Sequence, residues 1–74
     1  MTERMVVSPA AGVFTVDPRW AAHEADAKVD VGDLLGTVGA VEVRSLFSGV
    51  VQGFIAVDGE RVTPSQPIAW LRTA

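Results

Sequence analysis

Apolar residues in this chain come in short runs, not in helical stripes. Val, Ile, Leu and Phe cluster between Gly, Pro, Asp and Ser, and no window holds apolar residues at i, i+3, i+4 and i+7. The pattern predicts an all-β chain with strands at 5–8, 12–16, 28–31, 34–38, 41–45, 49–57, 61–63 and 68–72, joined by turn sequences such as "VDVGD", "VDGE" and "TPSQP". Helix has one opening. "DPRWAAHEADA" begins with an Asp able to cap and a Pro suited to a first turn, so a single turn around residues 20–24 competes with an irregular loop, and the loop is the expectation.

An internal repeat organises these strands. "VVSPAAGVF" (6–14) aligns with "VRSLFSGVV" (43–51) at an offset of 37, matching Val6 to Val43, Ser8 to Ser45 and Gly12 to Gly49. "KVDVGDLLGTV" (28–38) aligns with "RVTPSQPIAWL" (61–71) at an offset of 33, matching Lys28 to Arg61, Val29 to Val62, Leu35 to Ile68 and Val38 to Leu71. The first half-motif, 5–38, is therefore four residues longer than the second, 41–72, and the surplus lies in an inserted loop, 16–26, that carries Trp20 and His23. Neither half can bury its own apolar face, so the expectation is a single domain, 1–74, in which the halves interlock about a pseudo-twofold axis. Gly12 and Gly49 should then occupy equivalent bends.

Composition narrows the function. The chain has 74 residues, a net charge of −3 and six basic residues spread singly, so no basic stripe is available for phosphates, and no nucleic-acid partner is expected. No segment approaches the roughly 18 apolar residues of a membrane span, and no membrane partner is expected. The absence of cysteine rules out disulfides, thiolate metal sites and cysteine nucleophiles, and suits a cytoplasmic protein.

"SPAAGVF" with "AKVDVGDLLGTV", and "SGVVQGFIAVDGERVTPSQPIAWL" after them, resemble the two halves of the biotinyl/lipoyl carrier superfamily over about 60 of the 74 residues. Ser8-Pro9 with Gly12 and Phe14, and the lengthened loop before "VGD", are most similar to the biotin carboxyl carrier protein of bacterial acetyl-CoA carboxylase. That resemblance implies a barrel-sandwich hybrid, a flattened, capped barrel of two four-stranded sheets. It also implies biotin or lipoate carried on a lysine at the tip of a hairpin. Here the lysine is absent. Without a gap its place falls on Val38, and counted from "VGD" the hairpin is about four residues shorter than is usual in the family. Val38, Gly39, Ala40 and Val41 should close a two-residue turn of type II′. The only lysine, Lys28, lies on another strand with Arg61 as its repeat partner, so no cofactor is expected.

Other chemistry is sparse. His23 with Glu24 and Asp26 has the residue types of a metal site, but such groups on a polar loop are usually solvated, and no metal is expected. Ser45 and Ser48 lack an accompanying base, and Ser8 repeats Ser45, which argues for a turn role; no catalytic residue is assigned, and the chain is not read as an enzyme. Asp30, Asp33, Asp58 and Glu60 read as turn formers. Phe14, Phe54 and Trp70 read as core. Trp20 is either a lid on the barrel or an anchor for a partner, and Leu46 and Phe47 carry the same ambiguity. Trp20, His23, Leu46 and Phe47 form the candidate partner-binding set. The expected function is a non-catalytic interaction subunit docking on biotin carboxylase, carboxyltransferase or another multienzyme component. The alternative is a divergent carrier or small-molecule binding module outside carboxylase chemistry.

Overall fold

A computed structural model describes residues 2–21 and 27–73. All eight expected strands form: β1 (Thr2–Val7), β2 (Gly12–Val16), β3 (Ala27–Val29), β4 (Leu34–Val38), β5 (Val41–Arg44), β6 (Gly49–Phe54), β7 (Arg61–Val62) and β8 (Pro67–Thr73). One short helix, α1 (Pro18–Ala21), follows β2. The strands make two four-stranded antiparallel sheets, sheet I with order β1-β8-β6-β3 and sheet II with order β5-β4-β2-β7. No strand pair among the described residues joins the two, so they are two packed layers, not a closed hydrogen-bonded barrel. No helix among the described residues is long and apolar enough to cross a membrane.

Sheet order carries the repeat. Advancing each strand of the first half by four, and setting each of the second half back by four, converts the order of sheet I into that of sheet II. The registers agree between β1–β8 and β5–β4 and between β3–β6 and β7–β2, whereas β6–β8 departs from β2–β4 by a bulge after Val51 that sets Gly53 opposite Trp70, where Thr15 stands opposite Thr37. Val6↔Ala69 and Val7↔Pro67 in β1–β8, with a bulge between them, become Val43↔Gly36 and Arg44↔Leu34 in β5–β4, with the same bulge. Val29↔Gly49 in β3–β6 becomes Val62↔Gly12 in β7–β2, so the two glycines are equivalent as expected, each opening a strand and not standing at a bend. The offsets are the 37 and 33 read from the sequence. Connections account for the difference, since residues 17–26 link β2 to β3 while the shorter 55–60 links β6 to β7.

Turns repeat as closely as strands do. The Asp30 N–H donates to Asp33 Oδ2 at 2.8 Å, and the Thr63 N–H to Gln66 Oε1 at 3.1 Å. Gly32 N–H donates to the Ser45 carbonyl and Ser65 N–H to the Ser8 carbonyl, both at 2.8 Å. These turns require a left-handed residue, which is Gly32 with φ 91° in one half and Ser65 with φ 68° in the other. The turns also set strand ends: β3 stops at Val29 because Asp33 N–H turns back to the Asp30 carbonyl, and β6 stops at Phe54 because the Ile55 and Ala56 N–H groups both converge on the Ile68 carbonyl.

Repeat-related residues supply most of the core. Val6 and Val43, Phe14 and Val51, Val29 and Val62, Leu35 and Ile68, and Val38 and Leu71 are all buried between the sheets. The halves differ where volumes balance. A Cβ on Gly36 would overlap the Thr15 carbonyl oxygen and come within 3.0 Å of the Phe14 ring, so the large Phe14 is matched to glycine; their counterparts are the smaller Val51 and the larger Ala69. Phe54 also contributes, stacked on Phe14 at 6.3 Å between centroids. Trp70 does not. Its strand neighbours Ala69 and Leu71 are buried, which turns Trp70 to the outer face of sheet I, where it lies half-buried over Gly53.

The Ser65 strain yields a prediction. A non-glycine residue in the left-handed region costs about 1–2 kcal/mol, and glycine costs about 0.5–1 kcal/mol in backbone entropy. Ser65→Gly should therefore raise the unfolding free energy by about 0.5–1 kcal/mol, while Gly32→Ala should lower it by about 1 kcal/mol. Urea denaturation of the two variants checks both signs.

Candidate functional site

The hairpin tip between β4 and β5 is closed and held flat. Val38 pairs with Val41 across Gly39 and Ala40, and Gly39 has φ 59° while Ala40 is not left-handed, the combination expected of a type II′ turn. The Gly39 N–H donates to the Val13 carbonyl at 3.0 Å, tying the tip down onto β2. Val38 is 1% exposed and packs in the core. A tip able to present an amine to an enzyme would have to project into solvent; here Val38, where the sequence resemblance would place a lysine, points into the protein instead.

Trp20 closes the other approach to the core. Asp17 precedes α1 as its N-cap, its Oδ1 accepting the Arg19 N–H at 2.9 Å, and its carbonyl accepts the Trp20 N–H at 2.9 Å; Pro18 sits at the first helical position. This capped turn replaces the expected irregular loop. It swings the indole inward, where Trp20 is 4% exposed and Nε1–H donates to the Leu34 carbonyl at 2.7 Å. The Arg19 guanidinium stacks over the ring at 4.6 Å and reaches Asp33 at 3.4 Å. Of the two roles open to Trp20, the structure builds the lid. A buried ring with its donor satisfied offers no anchor to a partner, so Trp20 leaves the partner-binding set. His23, with Glu24 and Asp26, lies outside the described residues.

Leu46 and Phe47 part company. Phe47 is half-buried against the core, with the Arg4 guanidinium 5.6 Å over its ring. Leu46 is 76% exposed. It lines a groove of about 550 Å³ together with Val7, Ser8 and Pro9 on one side and Glu42, Val43 and Arg44 on the other. One wall holds Val7, Ser8 and Pro9, and the other includes their repeat equivalents Arg44 and Leu46. Arg44 is braced on its wall by Glu42 Oε1 at 3.1 Å and the Gly32 carbonyl at 2.8 Å.

Polar side chains near the groove are consumed locally. Ser8 Oγ donates to the Ala10 carbonyl and Ser45 Oγ to the Phe47 carbonyl, both at 2.6 Å, and each accepts the N–H of the same residue. Both serines are buried with donor and acceptor engaged, which is a turn role. Asp33 and Glu60 accept the backbone N–H groups of Asp30 and Val57 within their own turns, as turn formers do, whereas the Asp58 side chain accepts the N–H of Val16, 42 residues away, and ties its loop to the end of β2. Asp30 takes part through its backbone. Among the described residues no group of three or more His, Cys, Asp or Glu side chains is placed to hold a metal ion. No family model and no curated protein matches the chain.

Burial of Trp20 reverses what an exposed tryptophan would predict. Trp20→Ala should cost about 3–5 kcal/mol, a large share of the roughly 5–10 kcal/mol that holds a domain of this size. Trp20→Phe should cost about 1–3 kcal/mol, because it leaves the Leu34 carbonyl without its donor. Equilibrium unfolding in urea checks both, and a variant lacking residues 20–23 should fail to fold for the same reason.

Proposed function

We propose that this chain is a non-catalytic module like the biotin carboxyl carrier protein. In this reading it carries neither biotin nor lipoate and serves as a structural or regulatory subunit of an acyl-CoA carboxylase-type or similar multienzyme complex. One observation carries the reading. The hairpin that would hold the cofactor lysine is closed in two residues, with Val38 buried and Gly39 bonded to Val13. The interlocked repeat supports a barrel-sandwich hybrid, since each sheet takes two strands from each half and equivalent bulges and turns recur in both. Lys28 lies exposed on β3 opposite Val50, away from any turn tip.

A carrier-like module without cargo still needs a surface by which to dock. The groove beside the β4–β5 hairpin supplies one, with Leu46 as its most exposed apolar side chain and Arg44 and Glu42 as fixed polar neighbours. A single apolar residue framed by held charges has the composition of a small interface anchor.

The test has two arms. Co-expressed with biotin and lipoate ligases, the chain should keep its polypeptide mass apart from N-terminal processing. Val38→Lys should gain no modification and lose several kcal/mol of stability, because the ammonium would enter the core. A tip lengthened by about four residues around a lysine, in place of Gly39-Ala40, should become an acceptor. Biotin or lipoate on Lys28 would overturn the reading. Binding to purified biotin carboxylase or carboxyltransferase, measured by calorimetry, should weaken about tenfold or more with Leu46→Asp; binding indifferent to Leu46 would remove the groove from the proposal.

A further inference from the structure

The two half-motifs hold one another more than they hold themselves. Among the described residues four of the six strand pairings, β1–β8, β3–β6, β2–β7 and β4–β5, join one half to the other, and only β2–β4 and β6–β8 lie within a half. The covalent link between the halves is the two-residue turn Gly39-Ala40. Everything that completes a half is therefore present on a second copy of the chain as fully as on its own. The turn decides which copy supplies it. Closed, it holds Gly39 at φ 59° with its N–H on the Val13 carbonyl at 3.0 Å.

We propose that Gly39-Ala40 is a hinge, and that a chain in which it is kept open exchanges halves with a second copy, the first half-motif of each closing against the second half-motif of the other. Register permits it. In the closed hairpin Val38 pairs with Val41 and Thr37 with Glu42. When two copies run straight through the turn, the same pairs form between chains and Gly39 of each falls opposite Ala40 of the other, so the ribbon continues through the crossing without a shift. Side chains alternate between the faces of a strand, so Val38 of one copy and Val38 of the other lie on opposite faces of that ribbon, and the two cores form on opposite sides of it. Energy permits it too. Both arrangements contain the same strand pairs and the same core, so they differ in the turn itself and in the entropy of bringing two chains together. A link of two residues gives an effective concentration of about a millimolar or more, so at about 10 µM the closed turn outcompetes a second copy about a hundredfold. Removing the turn removes that advantage. The inference does not rest on the carrier reading.

A chain without cysteine gives the test a clean readout. Glu3 and Arg72 are exposed partners across β1–β8, one from each half, and directly opposed residues stand about 4.5–5.5 Å apart between Cα atoms, within reach of a disulfide. The parent for the test is therefore the full chain with Glu3→Cys and Arg72→Cys. Folded and then oxidised at about 10 µM, it should link within each chain and run as a monomer on a non-reducing gel. Deleting Gly39 and Ala40 leaves nothing to form the turn but keeps the alternation of faces from β4 into β5, because an even number of residues is removed. That variant should keep the parent's circular dichroism spectrum, sediment as a dimer and link between chains. Gly39→Val with Ala40→Val keeps the length and opposes the left-handed φ at position 39, and should raise the fraction linked between chains about tenfold over the parent. A link between chains in either variant supports the exchange. Neither variant linking between chains more than the parent does, whether because both are folded monomers, because a dimer closes its disulfides within each chain, or because the deletion does not fold and the double-valine chain matches the parent, overturns it.

Discussion

Phe14, Leu35, Val38, Ile68 and Leu71 meet between the two sheets with Val29, Val43 and Val62 around them, and this contact holds each sheet in place. With 74 residues, no cysteine and four-stranded sheets, each layer has one apolar face and no other means of covering it. That constraint explains the interleaving. Because β1 and β3 of the first half flank β8 and β6 of the second, neither half can fold without placing its strands against the other's, and the core closes only when both are present. Burial of Trp20 follows from the same need: the longer connection leaves one side of the sandwich open, and the indole, held by the Leu34 carbonyl, covers it.

Much of this was legible in the sequence because it depends on backbone, and backbone requirements leave marks. The offsets of 37 and 33 survive since Ser8 and Ser45, Gly12 and Gly49, and the turn before β4 and its twin before β8 each satisfy hydrogen bonds that only a few residue types can make. Gly39-Ala40 was legible for the same reason. Trp20 was not. Its partner is a main-chain carbonyl 14 residues away, which carries no signature in any side chain, and Asp17-Pro18 foretold a helical turn without showing which way the indole would face. Trp70 was misread as core although a signal was present: Ala69 and Leu71 fix its parity, and its repeat partner, Thr37, is a polar residue.

Closing the β4–β5 hairpin changes the chemistry of the surface as much as its length. A projecting tip would expose both flanking strands' ends, whereas the Gly39 bond to Val13 converts the tip into part of sheet II and leaves Val38 in the core. The equivalent ribbon, β8 with β1, is not closed. It runs two pairs further, Arg72 with Glu3 and Thr73 with Thr2, beyond the pair Arg4 with Leu71 that is equivalent to Val41 with Val38.

Differences between the halves sort by whether they are answered inside the molecule. Phe14 against Val51 is answered by Gly36 against Ala69, and Asp33 against Gln66 by the same turn made with a different acceptor. Each such pair leaves the fold's requirements met, so packing alone accounts for it. Trp70 against Thr37 is answered by the bulge after Val51, which sets Gly53 beneath the indole, whereas Met5 against Glu42 and Leu46 against Pro9 have no such answer among the described residues. Keeping Met5 and Val7 in water forgoes the solubility that Glu42 and Arg44 give the other sheet. A difference of this kind is not compensated by packing among the described residues, and it is on that ground that the Leu46 wall is proposed as a contact surface.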